Sequence, residues 1–150
     1  VYSKDDSILL ACNWQGECVA VNRCTNREHL FSMPFANPRL AAGANAGEFY
    51  VVGDNRTDVH KVSVAGDSIA VTCLDASVGF GITAASSADG MWLAIVGTQG
   101  VEVWDTRRDE CTAAIAVSGL RSGHTPVAIS RDGRSIGLSR IDGLTIVSFD

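Results

Sequence analysis

Three histidines and several Asp-Gly pairs are the residues of this chain with the most obvious capacity for chemistry. His29, His60 and His124 lie far apart, and the sequence contains no Gly-x-Ser-x-Gly, His-Glu-x-x-His or phosphate-binding glycine loop. The Asp-Gly pairs, such as those at 89–90 and 132–133, are typical of turns, because Asp bonds nearby backbone and Gly readily adopts positive φ. We therefore predict no catalytic residue and no cofactor.

The cysteines could serve as metal ligands or as disulfide partners. They are Cys12, Cys18, Cys24, Cys73 and Cys111, an odd number without any C-x-x-C pair, which favours a reducing compartment over a disulfide framework. Three of them are spaced six residues apart, with His29 five residues further on, but structural zinc sites use tighter spacing. We expect Cys12, Cys18 and Cys24 to be small core residues on neighbouring strands, with no metal site.

Composition limits the class of protein. The chain has 150 residues, of which 46% are hydrophobic and 19% charged, enough to bury the core of one compact domain. Its net charge of −5 and scattered basic residues argue against direct nucleic-acid binding. A membrane span needs about 18 consecutive apolar residues, and the sequence contains no apolar stretch of that length. We expect an intracellular protein, cytoplasmic or nuclear.

The sequence repeats. Segments that begin with a small turn and enter an apolar run align so that Gly47, Gly90 and Gly133 are each 43 residues apart. A weaker fourth copy begins at Asp5 and places Asp6 opposite Gly47. Each copy reads as a turn, an apolar strand, a polar turn and a second alternating strand, which predicts a β-hairpin.

Two further strands are predicted between successive hairpins. The outer strands are predicted at 29–35, 68–74 and 111–117, and the inner strands, rich in small residues, at 39–44, 80–86 and 125–130. Four strands in a period of about 43 residues are typical of a β-propeller blade. Small side chains suit the crowded inner strand, whereas Trp104, on a third strand, can fill the space between two blades.

One run carries a family resemblance. The segment "SSADGMWLAIVGTQGVEVWD" (86–105) resembles a WD-repeat blade, with a small-Asp-Gly turn before strand two and Trp104-Asp105 at the end of strand three. The next copy (123–150) has the Gly-His start and ends in Phe149-Asp150. The resemblance is strong over 79–150 and loose over 1–78. Gly79-Phe80 replaces the usual Gly-His and Gln99 the usual turn Asp, so the buried polar network of the family would be incomplete there.

The resemblance implies an all-β fold: a β-propeller of WD-repeat type with four-stranded antiparallel blades. The blades would cover about 1–35, 36–75, 79–118 and 123–150, the first without its inner strand and the fourth without its outer strand. Such an arc is an incomplete ring, which either the remainder of a longer chain or a complementing subunit would close. The start at Val1 rather than Met favours a longer chain.

The resemblance also predicts a partner-binding face. In a propeller, the turns between strands two and three and the connections into the inner strands share one face. Here that face would hold Trp14, Gln15, Asn55, Arg56, Phe80, Gln99, His124 and Arg140. Trp14 is its expected anchor, because its turn would expose a large ring and binding surfaces are enriched in Trp and Arg. The opposite face would carry Arg107, Arg108, Arg131 and Arg134, which could contact an acidic partner.

Three functions are compatible with these patterns. The favoured one is a non-catalytic scaffold that binds proteins or short peptides. A narrower alternative is a peptide-binding propeller of the spindle-checkpoint and mRNA-export type, which Ile141-Asp142-Gly143 followed by Phe149 resembles, although Thr125 stands where those proteins have arginine. The third is a propeller hydrolase with a metal in the central channel, which the inner-strand starts Arg39, Phe80 and Thr125 do not favour.

Overall fold

The computed structural model describes residues 1–53, 58–79, 81–118, 120, 126–140 and 143–149, with the backbone alone at 58, 81, 82 and 140. These residues form 14 β-strands, and none of them lies in a helix. The predicted all-β class is therefore confirmed.

The strands form four antiparallel sheets, in each of which every strand pairs with the next one along the chain. Sheet 1 contains β1 (Ile8–Cys12), β2 (Glu17–Asn22) and β3 (Arg27–Ser32). Sheet 2 contains β4 (Arg39–Ala42), β5 (Glu48–Val52), β6 (Asp58–Ala65) and β7 (Ser68–Asp75). Sheet 3 contains β8 (Gly81–Ser86), β9 (Trp92–Gly97), β10 (Gly100–Asp105) and β11 (Glu110–Ala116). Sheet 4 contains β12 (Val127–Ile129), β13 (Ser135–Arg140) and β14 (Gly143–Ser148).

The strand count follows the sequence pattern. Sheets 2 and 3 have four strands each. Among the described residues, the three strands of sheet 1 correspond to strands two to four of this pattern, and the three strands of sheet 4 correspond to strands one to three. The first residues partly fill the missing place in sheet 1, since Tyr2 forms a bridge with Leu9 and the Val1 carbonyl accepts a hydrogen bond from Leu10 N–H at 2.8 Å.

A short polar turn precedes β1 in sheet 1, β9 in sheet 3 and β13 in sheet 4. The hydroxyl of its first residue (Ser3, Ser87 or Ser130) donates to the carboxylate two residues later at 2.7, 2.6 and 2.6 Å, respectively. The same hydroxyl oxygen accepts the backbone N–H five residues later at 2.9–3.0 Å. The third residue after the serine has positive φ. All of these bonds are local, so each copy of the sequence specifies its own turn.

Sheet 2 has a different turn at this place, which corrects the alignment of the glycines. Gly43 N–H donates to Glu48 O just as Ser87 N–H donates to Trp92 O, so Glu48 and Trp92 are equivalent. Ala46 is then equivalent to Gly90, and the positive φ of Gly47 falls one residue later. The equal spacing of 43 residues between Gly47 and Gly90 is therefore not the structural period at this step.

The sheets pack face to face in chain order. Alternate residues of a strand point to opposite sides of its sheet, so β5 and β9 each contribute to two cores. In sheet 2, Phe49 and Val51 join a core with sheet 1, while Tyr50 and Val52 join a core with sheet 3. In sheet 3, Leu93 and Ile95 face sheet 2. Ala94 and Val96 of the same strand face Ile136 and Leu138 of sheet 4. Three apolar cores result, one between each pair of neighbouring sheets.

The cysteines were predicted wrongly in two respects. Cys12 and Cys18 are opposite each other on β1 and β2 and form a disulfide, which the expectation of reduced thiols did not include. Cys24, for which a core position was expected beside Cys12 and Cys18, is exposed. The chain folds the first hairpin with its turn at 13–16, and this register alone makes Cys12 and Cys18 neighbours.

Candidate protein-interaction surface

The turn that carries Trp14 is held by its own side chains. Asn13 Oδ1 accepts the backbone N–H groups of Gln15 at 2.9 Å and Glu17 at 3.0 Å. Asn13 Nδ2 donates to Glu17 Oε2 at 2.6 Å. Gly16 has a φ of +87°, and a Cβ there would lie 2.2 Å from the Phe35 carbonyl oxygen. Only glycine fits this position, and the bonds from Asn13 hold the turn around it.

The same turn is tied to the connection between sheets 1 and 2. The Trp14 carbonyl accepts the Asn37 N–H, and the Gly16 carbonyl accepts the Met33 N–H, both at 2.8 Å. Trp14 is nevertheless 69% exposed. The predicted placement of Trp14 in an exposed turn is therefore confirmed, on a backbone that is fixed from both sides.

Gln99 occupies the equivalent turn of sheet 3, between β9 and β10, and is exposed like Gln15. Its backbone N–H donates to the Val78 carbonyl at 2.8 Å. The connection from sheet 2 to sheet 3 is thus bonded to this turn as the preceding connection is bonded to the Trp14 turn.

These turns lie at one end of the stacked sheets. The opposite ends, where the second strands begin, are adjacent to one another: a Cβ on Gly90 would lie 2.3 Å from Gly43 O, and one on Gly133 would lie 2.5 Å from the Trp92 ring. The second strands therefore run in the same direction, and their far ends share a side. We call this side the Trp14 end, formed by the turns 13–16 and 98–99 with the connections 33–38 and 76–79.

Of the other predicted surface residues, only Arg140 has a described backbone. Asn55, Arg56, Phe80 and His124 lie outside the described residues. The backbone of Arg140 pairs with Gly143 at the end of β13, which is at the Trp14 end, but its side chain is not described. The structure therefore brings Trp14, Gln15 and Gln99 to one end and does not test the remaining members of the predicted face.

The arginines predicted for the opposite end are interleaved with acids. Asp105 Oδ2 accepts from Arg107 at 3.2 Å, and Arg131 lies 3.7 Å from Asp89. Asp89, Arg131 and Asp132 line an open cleft of about 490 Å³ with Ser130. Because acids neutralise these arginines locally, this end does not form a purely basic patch.

A charged cluster that the sequence did not reveal joins sheets 2 and 3. Tyr50 Oη donates to Asp109 Oδ1 at 2.8 Å, and Lys61 Nζ donates to Asp109 Oδ2 at 2.9 Å. Lys61 also lies 3.1 Å from Glu48. Burial, followed by the Asp109 carboxylate, raises the pKa of Tyr50. Burial alone lowers the pKa of Lys61, but its bonds to Asp109 and Glu48 outweigh that effect and raise it. Both groups therefore keep their protons, which suits a structural cluster rather than proton transfer.

A second polar cluster surrounds the Trp-Asp pair. Trp104 Nε1 donates to Glu102 Oε2 at 2.8 Å, and the Ser77 N–H donates to Glu102 Oε1 at 2.8 Å. Asp105 is buried and bonds Arg107, whose hydrogen bond lowers the pKa of the carboxyl group. The sequence signal for Glu102 was a charged residue within the apolar run of β10. The buried network of this sheet thus contains Glu102, which the resemblance did not predict.

Among the described residues, no three His, Cys, Asp or Glu side chains are grouped so that they could hold a metal ion.

The part of the chain that the structure describes contains no helix long and apolar enough to span a membrane.

The fold defines a class of protein in which small antiparallel sheets stack in chain order. No protein-family model and no curated protein sequence matches the chain. Among solved structures, the chain is similar to Kuenenia stuttgartiensis hydrazine synthase, with a TM-score of 0.72 and 18% sequence identity. The match covers 98% of this chain and 44% of that one, so this chain spans less than half the length of that protein. At this identity the likeness extends to the fold alone.

Proposed function

We propose that this chain is part of a WD-repeat-type β-propeller and acts as a non-catalytic scaffold that binds a protein or short peptide at the Trp14 end. Two features support the propeller: each sheet packs on the next through its apolar face, and the run from Ser86 to Asp105 forms the turn and strands of one such sheet. Other repeats, from a longer chain or another subunit, would complete the ring.

Trp14 is the observation that carries the binding function. The residue is 69% exposed, while its turn is fixed by the Asn13 side chain and by backbone bonds to the neighbouring connection. A rigid turn loses little conformational freedom when a partner binds, so more of the contact energy is available as affinity. Tryptophan is also one of the side chains, with tyrosine and arginine, that are enriched among residues that dominate interface energies.

The polar clusters support a scaffold over an enzyme. Glu102 is occupied by Trp104 and Ser77, and Asp109 by Tyr50 and Lys61. Such carboxylates join strands and sheets, and none of them opens into the cleft at the other end. Their arrangement resembles that of structural networks, in which every charge has a fixed partner.

The test begins with capture of partners from cell extract on the immobilised chain, followed by binding curves with the purified partner. Trp14→Ala should weaken binding by about 1–3 kcal/mol, the range of interface anchors. Arg108→Ala is the matched control, because Arg108 is also exposed but lies in a turn at the opposite end. Equal effects of the two variants, or none from Trp14→Ala, would contradict the assignment of the Trp14 end.

A further inference from the structure

A disulfide closes the hairpin that presents Trp14. Cys12 ends β1 and Cys18 lies opposite it on β2, so their bond crosses the hairpin directly behind the Trp14 turn. Between the two cysteines, the Asn13 N–H donates to the Glu17 carbonyl at 2.8 Å. The disulfide therefore fixes the two strands one residue pair below the base of the turn.

Sheets 2 and 3 form the equivalent hairpin with valines in place of the cysteines. Cys12 is the fifth residue of β1, and the fifth residues of β5 and β9 are valines that pair with valines on the next strand. A reduced cysteine behaves as a small apolar side chain, so two thiols would suit the same position. The hairpin of sheet 1 therefore does not depend on a covalent bond to form. The valine pairs, each residue of which is at most 1% exposed, are Val52 with Val59 and Val96 with Val101.

The sulfur of Cys18 lies beside a hydrogen bond that anchors the Trp14 turn. Cys18 Sγ is 3.4 Å from the Gly16 carbonyl oxygen. The same oxygen accepts the Met33 N–H at 2.8 Å and so ties the turn to the connection 33–38. A disulfide sulfur has no proton to donate, whereas a thiol is a weak donor. Reduction therefore brings a second donor to the Gly16 carbonyl and removes the covalent restraint behind the turn.

We propose that Cys12 and Cys18 form a reversible thiol–disulfide exchange site that controls the order of the Trp14 turn and, through it, the affinity of the Trp14 end for its partner. The control of affinity rests on the proposed function, whereas the control of the turn does not. In the oxidised chain, the disulfide and the hydrogen bonds of the turn act together. After reduction, a partner must order more of the turn when it binds, so the oxidised chain is the tighter-binding form.

The exchange begins at Cys12, which is only partly buried, whereas Cys18 is 3% exposed within the core between sheets 1 and 2. A thiolate of a dithiol reductant attacks Cys12 Sγ, the bond between the two sulfurs breaks, and Cys18 leaves as a thiolate that takes up a proton. The second thiol of the reductant then loses its proton and attacks the reductant sulfur bound to Cys12, which leaves as a thiolate and is protonated. Two electrons pass to the cysteine pair, and the dithiol becomes a disulfide. Oxidised glutathione reverses the exchange and is itself reduced to two thiols.

Thiol counting tests the exchange itself. The exposed cysteines outside the disulfide are first replaced in the variant Cys24→Ser/Cys73→Ser/Cys111→Ser, so that only the pair Cys12 and Cys18 can react. The chain is treated with oxidised glutathione or dithiothreitol without denaturant, quenched in acid, unfolded, alkylated and weighed by mass spectrometry. We expect no thiol after oxidation and both after reduction, with one circular dichroism spectrum for the two states. A disulfide that opens only in denaturant, or a reduced chain that loses its strand spectrum, would overturn the proposal, because the bond would then be a structural crosslink.

Hydrogen exchange of the wild-type chain, measured by mass spectrometry, tests whether reduction reaches the turn. Peptides that cover 13–18 and 33–38 should exchange faster in the reduced chain, because their amides take part in the bonds that the disulfide supports. The equivalent turn at 98–99 is the internal control and should exchange equally in both states. Equal exchange at 13–18 in the two states would overturn the proposal.

The variant Cys12→Val/Cys18→Val is the matched control, since it reproduces the valine pair of sheet 3. It should exchange at 13–18 like the reduced wild-type chain in either reagent, and exchange as slow as that of the oxidised chain would contradict control by the disulfide. If this variant does not keep the wild-type circular dichroism spectrum, the oxidised and reduced forms of the wild-type chain decide the question.

Binding curves with the purified partner complete the test. The dissociation constant should rise about two- to tenfold on reduction, as expected when one further side chain must be ordered on binding. Equal dissociation constants of the two states, with Trp14→Ala still weakening the complex, would overturn the proposal and leave the proposed function intact. If Trp14→Ala has no effect on binding, the proposed function fails, while thiol counting and hydrogen exchange still decide whether the disulfide controls the turn.

Discussion

Trp14 and Trp104 lie in two regions that use the same residue type in opposite ways. Trp104 is 5% exposed, packs between sheets 2 and 3, and donates its indole N–H to Glu102. Trp14 is 69% exposed on a turn whose backbone is fixed while its ring is free of the cores. The difference separates residues that hold sheets together from residues that the sheets present to other molecules.

The largest effect should come from Trp104→Ala. Loss of a packed aromatic ring costs about 3–5 kcal/mol of stability, and the change also leaves Glu102 without one of its hydrogen bonds. Chemical denaturation of the variant and the wild-type chain measures this difference. A loss below about 1 kcal/mol would show that the ring is not part of the core between sheets 2 and 3.

Gly16→Ala should have the next largest effect, and it tests whether the Trp14 turn is rigid. The added Cβ would meet the Phe35 carbonyl, and the residue would have to keep a φ of +87°. We expect a loss of about 1–3 kcal/mol together with a changed Trp14 environment, measured by denaturation and by fluorescence of the folded protein. Unchanged stability and fluorescence would indicate that the turn readjusts freely.

Asp105→Asn should have a smaller, pH-dependent effect at the Trp104 region. The Arg107 guanidinium holds the pKa of Asp105 below its usual value in the folded chain. The ion pair therefore stabilises the fold above the unfolded pKa, near about 4, and this stability is lost as the pH falls through the lower, folded pKa. We expect a loss of about 1 kcal/mol at neutral pH that disappears in acid. An equal loss at all pH values would exclude the ionic contribution.

Trp14→Ala should have the smallest effect on stability, less than about 0.5 kcal/mol, as is usual for exposed positions. Chemical denaturation of Trp14→Ala and Trp104→Ala measures both stabilities under the same conditions. If the two variants lost equal stability, Trp14 would belong to an apolar core as Trp104 does.

Local patterns predicted the strands well, and contacts between distant residues explain most of what they missed. Alternation and turn residues placed β5, β9 and β10 correctly, because each hairpin is specified within its own segment. The Asp109 cluster could not be predicted, since Tyr50 and Lys61 reach it only after sheets 2 and 3 pack together.

The disulfide follows from the hairpin register, which depends on local sequence alone. The turn at 13–16 makes Cys12 and Cys18 partners in the β1–β2 register, so a hairpin assignment carried to individual pairs would have found it. Of the candidate surface, the exposure of Trp14 followed from its turn, but the bonds from Asn37 and Met33 that fix this turn depend on the path of the next connection.

The serine-aspartate turns have a consequence for how the chain folds. Their hydrogen bonds span at most five residues, so closing each hairpin orders a very short loop. Hairpins of this kind form in about 1–10 μs, before the sheets meet. The slow step of folding should then be the docking of one preformed sheet on its neighbour, and substitutions in the apolar cores should govern the folding rate more than substitutions in the turns.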